Sequence, residues 1–149
     1  MRILVASSGN PDEPVDPVNA AAAFPWPPGS EIHVLSVAES IRPVMVGVGP
    51  DALDASAATQ VRSKADAKSV VAGAAAQLRG LGFRAEGLAM EGVPEAVITS
   101  HAKDWNADLI VVGSHDSSLL EKLLLGSVSQ GVLKHAPCSV LVVKQRVQS

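Results

Sequence analysis

Tyrosine is absent, and the chain holds two tryptophans, two phenylalanines and one cysteine in 149 residues. So few rings leave no stacking platform of the kind that single-strand nucleic-acid binders lay under successive bases. A lone cysteine, Cys138, can neither close an internal disulfide nor contribute to a zinc cluster. Cationic excess is missing too: the formal net charge is -3 and the sequence pI about 5.7, which argues against a partner held by its phosphate backbone. No apolar run approaches the ~20 residues of a membrane span. The apolar stretch after Arg2 covers only Ile3 to Ala6, too short for a secretory signal. The expectation is a cytoplasmic protein without membrane or nucleic-acid partners.

What is present is aliphatic. Hydrophobic residues make up 47% of the sequence and charged residues 18%. A core with almost no aromatic filling must be built from Val, Leu, Ile and Ala, which suits helices layered on a sheet. The length fits one domain over 1–149, able to bury about two-thirds of its unfolded surface.

Along the chain, short apolar runs alternate with helical ones. Ile3-Leu4-Val5-Ala6 reads as a strand apolar on both faces, ended by Ser7-Ser8-Gly9-Asn10. Pro11, Pro14 and Pro17 postpone the first helix to about Pro17, and Pro25, Pro27 and Pro28 stop it after Phe24. Glu31 to Val37 is the second strand. Ser40 to Pro50 carries two prolines and two glycines and reads as a loop, with an apolar patch at Val44-Met45-Val46. The proline-free, alanine-rich stretch Asp51 to Arg79 predicts one long helix, its buried face drawn from Val61, Ala65, Lys68, Val70, Val71, Ala72, Ala74 and Leu78. Phe83 to Met90 is a third strand, and Pro94 opens a helix with Val97, Ile98, His101, Ala102 and Trp105 at helical spacing. Leu109 to Val112 and Ser139 to Lys144 complete five strands. Strict alternation predicts right-handed crossovers and a three-layer, doubly wound α/β fold with a parallel sheet.

Chemistry concentrates between Asp108 and Lys144. The fourth strand breaks at Gly113, at the carboxyl end where open α/β sheets hold ligands. Gly126-Ser127 precedes another helix. Ser127 is an N-cap candidate with Gln130 three residues on, the spacing of a capping box, and free N–H groups there favour an anion. Phosphate binding and a plain turn with a cap both fit this spacing. Ser114-His115-Asp116 has the residue types of a catalytic triad, but adjacent residues do not form that relay. No Walker loop or nucleophile elbow occurs. His33, His101, His115 and His135 lack metal-ligand spacing; His33 reads as a strand residue, His101 and His135 as helix-surface or cap residues.

The segment VVGSHDSSLLEKLLLGSVSQGVLKHAPCSVLVVK resembles the C-terminal half of the universal stress protein family. Nucleotide-binding members carry glycine, two residues, glycine, nine residues, then glycine and Ser or Thr; Gly113, Gly126 and Ser127 match at that spacing. The resemblance implies a Rossmann-like, adenine nucleotide alpha hydrolase-like sheet of order 3-2-1-4-5 and a homodimer; Val140, Leu141, Val142 and Val143, a flat apolar terminal strand, offer the pairing edge it would use. It implies ATP, with or without Mg²⁺, as ligand. Ala6, Val37 and the backbone at Val112-Gly113 would flank adenine. His115, Asp116, Gly126, Ser127 and Val128 would line ribose and phosphates, in a sensor or regulator rather than an efficient enzyme. Two positions depart from the pattern: Ser8 stands where nucleotide binders have an aspartate, and Asp116 where they have the second glycine. Those departures favour a nucleotide-free interaction protein of the same fold.

Overall fold

The computed structural model describes residues 1–10, 15–39, 63–114 and 125–144. Five strands, β1 (Arg2–Ala6), β2 (Glu31–Ala38), β3 (Arg84–Glu91), β4 (Leu109–Gly113) and β5 (Ser139–Val143), form one parallel sheet of order β3-β2-β1-β4-β5. Between them run α1 (Pro17–Ala23), α2 (Lys64–Gly80), α3 (Pro94–Trp105) and α4 (Ser127–His135). The sheet and its order are as expected, and the strands alternate their side chains between two cores.

Ile3, Val5, Ile32, Val34 and Val111 point to one face, where Val18 and Ala21 of α1 and Val71 and Leu78 of α2 cover them. Leu4, Leu35, Ile110 and Val112 point to the other, covered by Ile98 and Ala102 of α3 and Val132 of α4. Aliphatic side chains thus fill both interfaces, with Trp26 and Trp105 at their margins.

Helix starts follow local chemistry. Asp16 caps α1 by accepting the Val18 N–H at 2.9 Å, and Pro17 takes the first turn, where no N–H is needed. The helix expected from Asp51 instead starts at Lys64. Ser63 takes an extended conformation (φ -69°, ψ 158°) and its hydroxyl accepts the Asp66 N–H at 3.1 Å. A serine cap carries no break in apolar periodicity, so an alanine-rich run hides it. Residues 51–62 and the 40–50 loop with its Val44-Met45-Val46 patch lie outside the described residues. The buried stripe of α2 is Ala67, Val71, Ala75 and Leu78; Ala65, Lys68 and Ala72 are exposed, because the stripe follows one line of the helix rather than the two that the periodicity offered.

The two sheet edges differ. β3 exposes Arg84, Glu86, Met90 and Glu91, whereas β5 has four half-buried aliphatic residues, Val140 to Val143, and no charge. Gly87 of β3 lies so close to α2 that an added Cβ would stand 2.6 Å from the Val71 carbonyl oxygen.

Candidate functional site at the carboxyl ends of β1 and β4

Chain order reverses between β1 and β4, which lie side by side with Val5 paired to Val111. Crossovers leave the sheet in opposite directions there, so a crevice opens beyond the carboxyl ends. Ala6, half-buried, ends β1, and the Ser7 N–H donates to the Leu35 carbonyl at 2.9 Å, fixing the exit from the sheet against β2. The Ser8 hydroxyl then accepts the Asn10 N–H at 3.1 Å. Gly9 between them has φ +68° and packs where a Cβ would stand 2.4 Å from a Val70 methyl, so this turn is tied to α2.

On the β4 side, Val112 is buried and Gly113 pairs with Val143. Gly113 has no positive φ, and a Cβ there would meet Pro17 at 3.5 Å, an ordinary contact. Neither backbone conformation nor packing among the described residues demands glycine at this position. Ser114 N–H donates to the Val143 carbonyl at 3.0 Å, and Gly126 N–H to the Ser114 carbonyl at 3.3 Å, joining the end of β4 to the residue that precedes α4.

The start of α4 corrects one expectation. Its N-cap is Gly126 (φ -60°, ψ 158°), with Ser127 the first helical residue, and among the described residues no side chain caps the helix. Gln130 does not complete a capping box: its side-chain amide donates to the Leu125 carbonyl at 2.6 Å. Since Ser127 is already helical, its hydroxyl is not placed to cap the first turn. Ser129, which the sequence does not single out, is buried and its hydroxyl donates to the Gly113 carbonyl, fastening the first turn of α4 to the end of β4. The one local hint is its place two residues after Ser127, on the sheet-facing side of a helix with Val132.

The structure places Ala6 and Ser8 at the carboxyl end of β1, Val112 and Gly113 at that of the neighbouring β4, Gly126, Ser127 and Val128 at the start of α4, and Val37 near the end of the adjacent β2. Val128 also packs against the α3–α4 core. His115 and Asp116 lie outside the described residues. The site differs from a cavity of about 310 Å³ lined by Trp26, Pro27, Gly29, Gly82, Phe83 and Arg84, which opens at the amino ends of β2 and β3. Of the remaining candidates, Cys138 is half-buried against the α3–α4 core and burial pushes its thiol up from the ordinary value. His135 is exposed at the end of α4, as expected, but His101 is not a surface residue. It is half-buried, with Nε2 3.1 Å from Nδ1 of His33.

Arrangement and sequence both point the same way in comparison with known proteins. The model of the universal stress protein family matches residues 1–144. Universal stress protein MJ0577 of Methanocaldococcus jannaschii is 35% identical over 81 residues, covering 54% of this chain and 50% of that one. The chain thus spans about half the length of this relative in the aligned stretch. The solved structure of hypothetical protein MJ0577 superposes with a TM-score of 0.72 at 26% identity, over 99% of this chain and 97% of that one. A universal stress protein from Archaeoglobus fulgidus in complex with dAMP gives a TM-score of 0.66 at 20% identity, over 97% and 98% of the two chains. One solved in complex with cAMP gives 0.66 at 19% identity, over 98% of each. With the family pattern running from residue 1 to residue 144 and this sheet order beneath it, the chain belongs to the universal stress protein family.

Proposed function

We propose that residues 1–149 act as one domain that binds an adenine nucleotide across the β1–β4 crevice, as a stress-response regulator without efficient catalysis. One observation carries this reading. The start of α4, with a glycine at its N-cap and no side-chain cap among the described residues, stands beside the carboxyl end of β4, locked to it by the bond from Ser129 to Gly113. Backbone N–H groups at a helix start, held rigidly beside a strand end, suit a phosphate. Glycine at 113 leaves the backbone open to close approach where the fold itself makes no demand for it. Structural neighbours solved with dAMP and cAMP support the adenine nucleotide class.

In this reading Ala6, Val37 and the Val112-Gly113 backbone flank the base, and His115, Asp116, Gly126, Ser127 and Val128 line the ribose and phosphates. The favoured ligand is ATP. Among the described residues no group of three or more His, Cys, Asp or Glu is arranged to hold a metal. Mg²⁺ would then be held chiefly by phosphate oxygens and water, its usual manner, with Asp116 the carboxylate nearest Gly113 in sequence. An unscreened carboxylate about 4 Å from a phosphate charge costs about 4 kcal/mol at an effective dielectric of about 20.

Calorimetric titration with ATP, with and without Mg²⁺, on nucleotide-free protein tests the proposal. Heat of binding and a thermal shift are expected; neither at about millimolar ATP, roughly a -4 kcal/mol threshold, would sink it. Asp116→Gly should tighten binding measured without Mg²⁺, and unchanged affinity would reject repulsion as the obstacle.

A second reading is a nucleotide-free dimeric interaction protein of the same fold, acting in the cytoplasm. Ser8 favours it: the exit of β1 offers a hydroxyl engaged with the Asn10 N–H where nucleotide binders have a carboxylate. Both readings include a homodimer through β5, whose Val140 to Val143 form an uncharged edge. Light scattering should give twice the chain mass for the native protein and less for Val142→Lys, with circular dichroism confirming that the variant is folded. An undiminished dimer would move the interface elsewhere.

A further inference from the structure

At the amino-terminal end of the sheet, away from the crevice, two histidines meet. His33 of β2 lies in register with Leu4 and Glu86, on the face that α3 covers. Its Nδ1 is 3.1 Å from Nε2 of His101 on α3. Its ring stacks on Trp105, one turn further along α3, with centroids 3.6 Å apart and planes inclined by 9°. Glu86 of β3 brings Oε2 to 3.5 Å from His33 Nε2, and the His33 side chain is 14% exposed. The other charged groups facing the pair are Glu31 from β2, Arg2 from β1 and Asp104 from α3.

Two imidazole nitrogens at this distance bond only if one carries a hydrogen and the other a lone pair. The contact itself therefore holds a single proton. Glu86 favours the hydrogen of His33 on Nε2, which leaves Nδ1 to accept from His101 Nε2–H. One proton more can be carried on an outer nitrogen, within reach of the surrounding carboxylates, with the bond between the rings intact. Another fills the inner lone pair. Two N–H groups then point at each other across 3.1 Å, on two cations in a partly desolvated pocket. The rings must part, and His101 shares its helical turn with Trp105, which is stacked on the same His33.

We propose that the His33–His101 pair is an acid-release latch between β2 and α3: it stays closed with up to one added proton, opens with two, and then frees the last turn of α3 from the sheet. Burial lowers the pKa of both imidazoles, which keeps the latch closed at neutral pH and places its opening in acid. The last turn of α3 is where the chain is tied back to β1: Arg2 Nη1 donates to the Trp105 carbonyl at 2.7 Å, and Arg2 N–H to the Asp108 carboxylate at 2.7 Å. Opening therefore loosens the start of the central strand as well.

The test follows the histidine ring signals of the full chain by NMR from about pH 7.5 to about pH 5, with amide exchange of α3 corrected for its intrinsic pH dependence. The two rings should titrate together in two separated steps. Exchange protection over the last turn of α3 should fall about tenfold or more in the second step. His101→Gln puts an amide nitrogen that cannot titrate where Nε2 stood, and should keep that protection in acid. Two independent, single-step titrations, or equal loss of protection in His101→Gln, would overturn the latch. So would stoichiometric zinc uptake at about pH 7.5 that shifts both rings, which would make the pair a metal site.

Discussion

Single side chains set how firmly the crevice and the layers are held. Ser129→Ala removes the buried hydroxyl that joins α4 to the half-buried Gly113 carbonyl. A loss of about 1–2 kcal/mol in urea unfolding is expected, together with weaker nucleotide binding, because the start of α4 would no longer be fixed against β4. Gly87→Ala forces a methyl group against the Val71 carbonyl, which is backbone and cannot swing aside, and should cost about 1–3 kcal/mol by the same measurement. The histidine pair makes stability depend on pH with a definite sign. Burial holds His33 and His101 below their ordinary value of 6.5, so the unfolded chain takes up protons more readily than the folded one. Their contribution is complete above about pH 6.5 and is lost as pH falls through the folded values. The thermal midpoint should drop on acidification over that range, and less so in His101→Gln. None of this was legible at the residue scale in the sequence. His33 and His101 are 68 positions apart, and only packing α3 onto β2 makes them neighbours. Ser129 is one serine among several until the crossover closes.

Elements were more legible, where local chemistry decides them. Prolines placed the start of α1 and the start of α3 correctly, because a missing N–H and a fixed φ act within a turn. Apolar runs located β1, β2 and β4 to within a residue or so, since a strand buried on both faces has no polar face to blur it. The starts of α2 and α4 were not legible. Ser63 caps a helix inside a run of good helix formers, and at α4 the choice between Gly126 and Ser127 as cap turns on backbone angles that composition does not fix. That choice has a consequence for charge. Ser127 is exposed in the first turn of α4, so Ser127→Glu should stabilise the fold by about 0.3–1 kcal/mol through the helix dipole. The same carboxylate occupies the end where a phosphate would lie, and ATP affinity should fall at least about tenfold. Stability rising while affinity falls, read by urea unfolding and calorimetry on one variant, separates a ligand effect from a folding defect. Affinity that stays constant would remove the start of α4 from the phosphate path.

At the scale of the whole molecule, the three layers and the parallel sheet follow from alternation alone, while the sheet order rested on family resemblance, because strand runs do not say which of them are neighbours. The candidate site shows the same division: Gly113 and Gly126-Ser127 stand out in sequence, but only the adjacency of β1 and β4 makes them walls of one crevice. No helix among the described residues is long and apolar enough to cross a membrane. The unlike edges of the sheet bear on how many copies can join. A strand edge is a template for another strand, and charge on it discourages pairing. β3 presents Arg84, Glu86 and Glu91 along its length, while β5 presents none. If two copies join through β5, the sheet becomes continuous and, among the described residues, its outer rims are the two charged β3 strands. Charge there discourages further pairing, so such an assembly would tend to close at two by a rule of composition rather than by crowding, with the same three side chains opposing growth into fibres.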